Sequence, residues 1–175
     1  RVVRKLGVMY QSGALFGSMT LFDNVRRPLE EFTNLNSSAM DLVVLMKLKQ
    51  VGLKGFENHM PSELSGGMQK RAAMARAMVL DPQILFLDEP SAGLDPITSA
   101  ELDQLIISLA RNLRITFVIV THELPSIYSI ADRVIMLDKR VRKIVADGRP
   151  QDLRDKSDNQ WVRQFFKREV TANAL

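Results

Sequence analysis

Ile84-Leu85-Phe86-Leu87-Asp88-Glu89 is the stretch on which the fold class turns. Four apolar residues without polar alternation read as a strand buried on both faces, the kind found in parallel sheets. The two acids that end it fall at the strand's C-terminal edge, where open α/β sheets bind their ligands. Downstream, Asp95-Pro96 supplies an N-cap followed by proline at the first helical position. That predicts a helix to about Asn112, with Leu102, Leu105, Ile106 and Leu109 inward. Ile115–Val120 is a second buried strand, and a short helix follows Pro125. Arg133–Leu137 and Val141–Val145 read as strands joined by a basic turn, and helical pieces lie around Leu153 and Trp161–Arg168.

Upstream, Leu6–Tyr10 is a short apolar strand with Gln11 at its exit. Asp23 or Asn24 can cap a helix towards Phe32. Ser38–Val51 has apolar residues at helical spacing. Ser65–Leu80 reads as a helix that opens at a glycine pair, carries Met68, Ala72, Ala75 and Val79 along one face, and stops at Asp81-Pro82. Strands alternating with helices give an α/β fold with a mostly parallel sheet, interrupted between residues 20 and 80 by a helical subdomain. The expected divisions are 1–19 (core strand and the Gln11 loop), 20–80 (helical), 81–150 (core) and 151–175 (C-terminal helical extension).

The chain has 175 residues, 46% hydrophobic and 25% charged, which suits one folded domain or two small ones. It has no cysteine, which excludes disulfides, thiolate metal sites and a cysteine nucleophile. His59 and His122 are its two histidines, so a histidine-rich metal site is not expected. No apolar signal region is visible near the start. No apolar run approaches the ~18 residues of a spanning helix, so the chain is not expected to cross a membrane by itself. The net charge of +4 is unevenly spread: the ends are basic, and residues 6–138 carry eleven positive and fifteen negative charges.

The chemistry-bearing residues follow the strand ends. Asp88 can hold Mg²⁺, which keeps part of its water shell, and Glu89 beside it can orient or deprotonate an attacking water. Leu64-Ser65-Gly66-Gly67-Met68 opens a helix whose free N–H groups, with the Ser65 hydroxyl, suit an anion. His122 follows the Ile115–Val120 strand and Gln11 follows the Leu6–Tyr10 strand, which puts both on the same rim as Asp88 and Glu89. A neutral amide at Gln11 can ligate Mg²⁺ or hold water.

In order, Gln11, a helical stretch, LSGGM at 64–68, ILFLDEP at 84–90, SAGLD at 91–95 and His122 resemble an ABC-type ATPase: Q-loop, helical subdomain, signature motif, Walker B, D-loop and switch histidine. The resemblance spans residues 1 to about 150 and implies a P-loop NTPase-like ABC ATPase core. QSGALF at 11–16, Met68, and Asp95-Pro96-Ile97-Thr98 are similar to the ATPase subunit of Mla/Mce-type phospholipid transporters.

The resemblance implies an ATP-binding and ATP-hydrolysing subunit that uses Mg²⁺ and energises phospholipid transport at the bacterial inner membrane. It implies Glu89 as the base for water, Asp88 and Gln11 at the metal, and His122 at the γ-phosphate. Ser65, Gly66 and Gly67 would bind the γ-phosphate held by a second subunit, and Asp95 would link the two sites of that homodimer. A permease would dock near Gln11–Phe22, with an accessory subunit as a further partner and no nucleic acid. The location implied is cytoplasmic, peripheral on the inner membrane. One departure stands out: none of the nine glycines has a glycine five residues on, so G-x-x-x-x-G-K-[ST] is absent. Since the chain begins with Arg1, that loop is expected upstream of it, and this stretch alone is expected to be a binding fragment without catalysis that does not bind ATP tightly. The alternative is a non-transport ABC ATPase acting on nucleic acid or the ribosome. Such proteins usually carry a long coiled coil between the Q-loop and the signature motif, or two cassettes in one chain, whereas about fifty residues separate Gln11 from Leu64 here and one cassette is seen.

Overall fold

The computed structural model describes residues 5–169, so Arg1 and Arg4 of the basic start lie outside the described residues. The chain forms two compact units, residues 1–121 and 122–175.

In the first unit, β1 (Leu6–Met9), β2 (Ile84–Asp88) and β3 (Thr116–Val120) form a parallel sheet in the order β1-β2-β3. Leu6 pairs with Ile84 and Met9 with Leu87, while Ile84 pairs with Thr116 and Asp88 with Val120. Between β1 and β2 the chain is helical: α1 (Leu21–Phe32), α2 (Ser37–Gln50), a short 3-10 turn at Pro61–Glu63, and α3 (Gly66–Ala77). Helix α4 (Pro96–Leu113) connects β2 to β3.

Local chemistry sets these boundaries. Asp95 caps α4, accepting from the amides of Ile97 at 3.0 Å and Thr98 at 3.1 Å, with Pro96 at the first helical position. Ser65 caps α3 through the Met68 amide at 3.3 Å, and Asn36 caps α2 through the Ala39 amide at 2.9 Å. Helix α1 begins earlier than a cap at Asp23 or Asn24 would set it. Its cap is Thr20, whose hydroxyl oxygen accepts from the Asp23 amide at 3.1 Å while the Asp23 carboxylate reaches back to the Thr20 amide at 3.3 Å. This is a capping box with Asp23 at its third position. Asn24 is fully buried and serves elsewhere.

The β2 strand is not buried on both faces. Leu85 and Leu87 are buried with Met9 on one side of the sheet, where α3 meets β1 and α4 meets β3. Val8, Phe86 and Val118 share a row on the other side, and Phe86 keeps 37% of its surface exposed. An apolar run states what can be buried; the helices packed on a sheet decide which face is.

Where β1 crosses α3, the backbones nearly touch. A Cβ added to Gly7 would lie 2.3 Å from the Ala77 carbonyl oxygen and 2.5 Å from Leu85 Cδ1. Only glycine fits there.

The second unit holds α5 (Leu124–Ile130), an antiparallel hairpin of β4 (Val134–Asp138) and β5 (Lys143–Gly148), α6 (Pro150–Lys156) and α7 (Gln160–Lys167). Its core is Ile127, Leu153, Val162 and Phe166. The aromatic helix near the C-terminus therefore docks on its own unit. The Tyr128 hydroxyl donates to the Phe166 carbonyl at 3.0 Å, and the Arg140 guanidinium lies 4.8 Å from the Trp161 ring centre.

Gly7→Ala is expected to destabilise the first unit by about 1–3 kcal/mol, because the clash is with backbone and cannot be relieved by a rotamer. Phe166→Ala is expected to cost the second unit about 3–5 kcal/mol. Urea unfolding followed by tryptophan fluorescence checks the second case, since Trp161 reports on that unit alone.

Candidate functional site

Parallel pairing puts the C-terminal ends of β1, β2 and β3 on one edge of the sheet. Tyr10, Gln11 and Ser12 leave β1 there, Asp88 ends β2, and Thr121 follows β3. A cleft of about 650 Å³ opens at this edge. Its wall takes Tyr10, Gln11 and Ser12 from the exit of β1, Gly66, Gln69 and Lys70 from α3, and Asp88, Ala92 and Gly93 from β2 and the turn beyond it.

Glu89 sits at the turn out of β2 in the left-handed region, with φ at +43°. That backbone costs a non-glycine residue about 1–2 kcal/mol, so surrounding bonds must hold it. Its amide donates to the Val120 carbonyl at 2.8 Å. Its carboxylate accepts from the Thr121 hydroxyl at 3.2 Å, and its carbonyl accepts from the Lys70 ammonium at 3.4 Å.

The loop after β1 is gripped through its carbonyl oxygens. Gly13 and Ala14 both have positive φ, +73° and +48°. Arg76 of α3 donates to the carbonyls of Ala14 at 2.8 Å and Gly13 at 2.9 Å, with its guanidinium 5.6 Å from the Phe16 ring centre. Lys70 of the same helix donates to the Gln11 carbonyl. From α1, the buried Asn24 side chain accepts from the Phe16 amide at 2.8 Å and donates to the carbonyls of Phe16, Met19 and Thr20 at 2.9–3.1 Å. The Lys70 ammonium is largely buried. Burial pushes its pKa down, and the charges of Glu89 and Asp88 oppose that shift.

The starts of α3 and α4 lie side by side. A Cβ on Gly66 would meet Leu94 at 3.4 Å, and one on Gly67 would meet the Thr98 methyl at 2.5 Å. Ser65 uses an oxygen lone pair for its cap, which leaves its O–H free to donate. Helix α3 thus offers the N–H groups of Gly66 and Gly67, whereas those of Ile97 and Thr98 at the start of α4 are taken by Asp95.

Of the residues singled out in the sequence, Gln11, Gly66 and Asp88 line one cleft, and Glu89 follows Asp88 directly. Ser65, Gly67 and Asp95 belong to the paired helix starts. His122 opens the second unit, with its side chain 73% exposed and its Nε2 4.0 Å from Glu123 Oε1. Among the described residues, no group of three or more His, Asp or Glu side chains is placed to hold a metal. Mg²⁺ needs less, since one or two protein oxygens suffice when water and substrate phosphates complete its shell. The Asp88 carboxylate and the Gln11 amide, both hard oxygen donors in the cleft, fit that requirement. The sequence motifs do not mark Lys70 or Arg76, and the pattern marks Asn24 only as a candidate helix cap. For Lys70 a signal existed: it lies three residues after Gly67 and four before Met74, a charge on the buried stripe of the helix.

The Thr98 hydroxyl, bonded to Asp95 at 2.5 Å, is the leading cause that lowers the Asp95 carboxyl below its ordinary value, aided by the capped amides. Asp95 therefore stabilises the fold at neutral pH. That contribution disappears as acidification protonates the carboxylate through its folded-state pKa. Asp95→Asn is expected to lower the thermal midpoint at neutral pH and to flatten its fall at acidic pH, as a pH series of melting curves will record.

A family model described as ABC transporter matches residues 1–92. Over 166 residues the chain is 48% identical to the intermembrane phospholipid transport system ATP-binding protein MlaF of Escherichia coli K12, a match covering 94% of this chain and 60% of that protein. It is 46% identical over 160 residues to the probable ribonucleotide transport ATP-binding protein mkl of Mycobacterium leprae, covering 91% of this chain and 45% of that one. The solved structure of cbiO1 from Clostridium perfringens, part of the ABC transporter complex cbiONQ, superposes with a TM-score of 0.80 at 26% identity, covering 88% of this chain and 61% of that one. This chain thus spans 60% or less of the length of these two curated relatives. Its parallel sheet with a helical stretch between β1 and β2 is a P-loop NTPase-like ABC ATPase core, and the chain belongs to the ABC transporter family.

Proposed function

We propose that this chain is part of the ATP-binding and ATP-hydrolysing subunit of an ABC transporter that energises phospholipid transport at the bacterial inner membrane. The observation that carries the reading is the cleft where Gln11, Asp88 and Gly66, far apart in sequence, share one wall beside Glu89. The relatives support the substrate class, because the E. coli one is named for phospholipid transport and 48% identity spans 94% of this chain. Both curated relatives are named as transport proteins, which favours transport over the nucleic-acid alternative.

In this reading Glu89 takes a proton from the water that attacks the γ-phosphate of ATP. The Thr121 hydroxyl orients its carboxylate, and the Val120 carbonyl fixes its backbone. Asp88 and Gln11 would hold Mg²⁺, which when bound neutralises phosphate charge. His122 contacts the γ-phosphate. Ser65, Gly66 and Gly67 present N–H groups and a hydroxyl to the γ-phosphate of a second copy, and Asp95 links the two sites of that homodimer. A helix N-terminus supplied by the other copy stabilises the developing anion and gives a reason to dimerise.

The surface at Gln11–Phe22, with Phe16 half exposed, is the proposed permease contact. An accessory subunit is a further proposed partner. Among the described residues no helix is long and apolar enough to cross a membrane, which accords with a cytoplasmic subunit held at the inner membrane by a permease. The divisions 1–19, 20–80, 81–150 and 151–175 are proposed as functional segments: Q-loop strand, signature-bearing helical subdomain, catalytic core and C-terminal extension.

Glu89→Gln in the full-length subunit with its permease is expected to keep ATP binding and lower turnover by about a hundredfold or more. In the isolated full-length subunit, ATP-bound dimers should then accumulate and elute early in size-exclusion chromatography. Turnover at the wild-type rate would remove Glu89 from the role of base.

A further inference from the structure

Lys70 is a cation at a position where the helix should be apolar. It is 8% exposed and lies on α3, the helix whose first residues are Gly66 and Gly67. Its side chain is buried rather than solvated, and the charges of Glu89 and Asp88 act on it. Its ammonium donates to two backbone carbonyls, those of Gln11 and Glu89. These two residues leave different strands of the sheet, 78 positions apart in the chain, and one side chain from a third element ties them together.

The hydrogen bonds are to backbone carbonyls. A backbone bond fixes where a residue's Cα sits and so where its side chain starts. Glu89 needs such a hold, because its φ of +43° is unfavourable without support. The loop after Gln11 needs it too, because Gly13 and Ala14 both take positive φ. Desolvating an ammonium is costly unless its donors are used, so a buried lysine that reaches two carbonyls keeps both as partners.

We infer that Lys70 is a positioning residue that fixes the Gln11 and Glu89 backbones to the helix that begins at Ser65. The inference rests on the proposed function, in taking Gln11 and Glu89 as the groups that handle metal and water. It goes beyond that function in assigning the link between the signature helix and both of them to one side chain. A shift of α3 would then displace Gln11 and Glu89 together.

The test uses the full-length subunit in complex with its permease, and Lys70→Met and Lys70→Arg variants. Lys70→Met keeps the length of the side chain and removes its donors. It is expected to lower kcat by about tenfold or more with KM changed less than about threefold, because the loss is of placement and not of ATP binding. Lys70→Arg, which keeps donors at this depth, is expected to restore most of kcat. Hydrogen exchange without nucleotide gives the second readout. The amides of Gly13, Glu89 and Ala92 are bonded to the carbonyls of Tyr10, Val120 and Glu89. Peptides covering 11–16 and 88–93 should exchange faster together in Lys70→Met and return towards wild type in Lys70→Arg.

A wild-type kcat in Lys70→Met overturns the inference, as does unchanged exchange in either peptide or failure of arginine to restore kcat. If Lys70→Met does not fold, Lys70→Leu, which also lacks donors, is read by the same criteria. A wild-type complex that does not hydrolyse ATP overturns the functional reading instead. Exchange in the two peptides then decides alone whether Lys70 ties them.

Discussion

The register of three short parallel strands is the constraint on which the rest of the first unit depends. Because Leu6–Met9 pairs in parallel with Ile84–Leu87, and Ile84–Asp88 with Thr116–Val120, three distant segments must leave the sheet at one edge. Parallel strands cannot be joined by tight turns, so long crossovers are obligatory. One crossover is α4. The other contains α1, α2 and α3, so the same topology that builds the edge also brings the start of α3 back to it.

The second physical theme is how that edge is held. The turn at Glu89 and the loop after Gln11 are not regular structure, and their carbonyls cannot all be met by a ladder. Buried carbonyls need donors. Helix α3 supplies them from Lys70 and Arg76, and α1 supplies them from Asn24. Two cations six residues apart on one helix thus reach the loop at Gln11 and at Gly13–Ala14. The helix that presents Ser65, Gly66 and Gly67 is mechanically part of the loop's wall.

Much was legible because it was local. Asp95-Pro96 marks a helix start by stereochemistry alone, and the structure places the cap and α4 there. Ser65 before a glycine pair does the same for α3. The start of α1 was harder. Asp23 can be either a cap or the third residue of a capping box, and only the Thr20 hydroxyl at 3.1 Å from the Asp23 amide decides between them. Nor could the sequence show that Asn24 would be buried against the 16–20 backbone, since an asparagine next to an aspartate reads most simply as a polar helix start.

The sequence by itself determined the element types, the parallel character of the first sheet, and the order of Gln11, Ser65-Gly66-Gly67, Asp88-Glu89, Asp95 and His122 along the chain. These depend on hydrophobic period, caps and spacing, which are short-range. Only the tertiary structure decided that Phe86 stays partly exposed while Leu85 and Leu87 are buried, because that depends on which face the helices cover. Only it revealed Lys70 as the bridge between Gln11 and Glu89. A lysine's charge is written in the sequence, but its partners here are backbone carbonyls, which every residue carries and no sequence distinguishes.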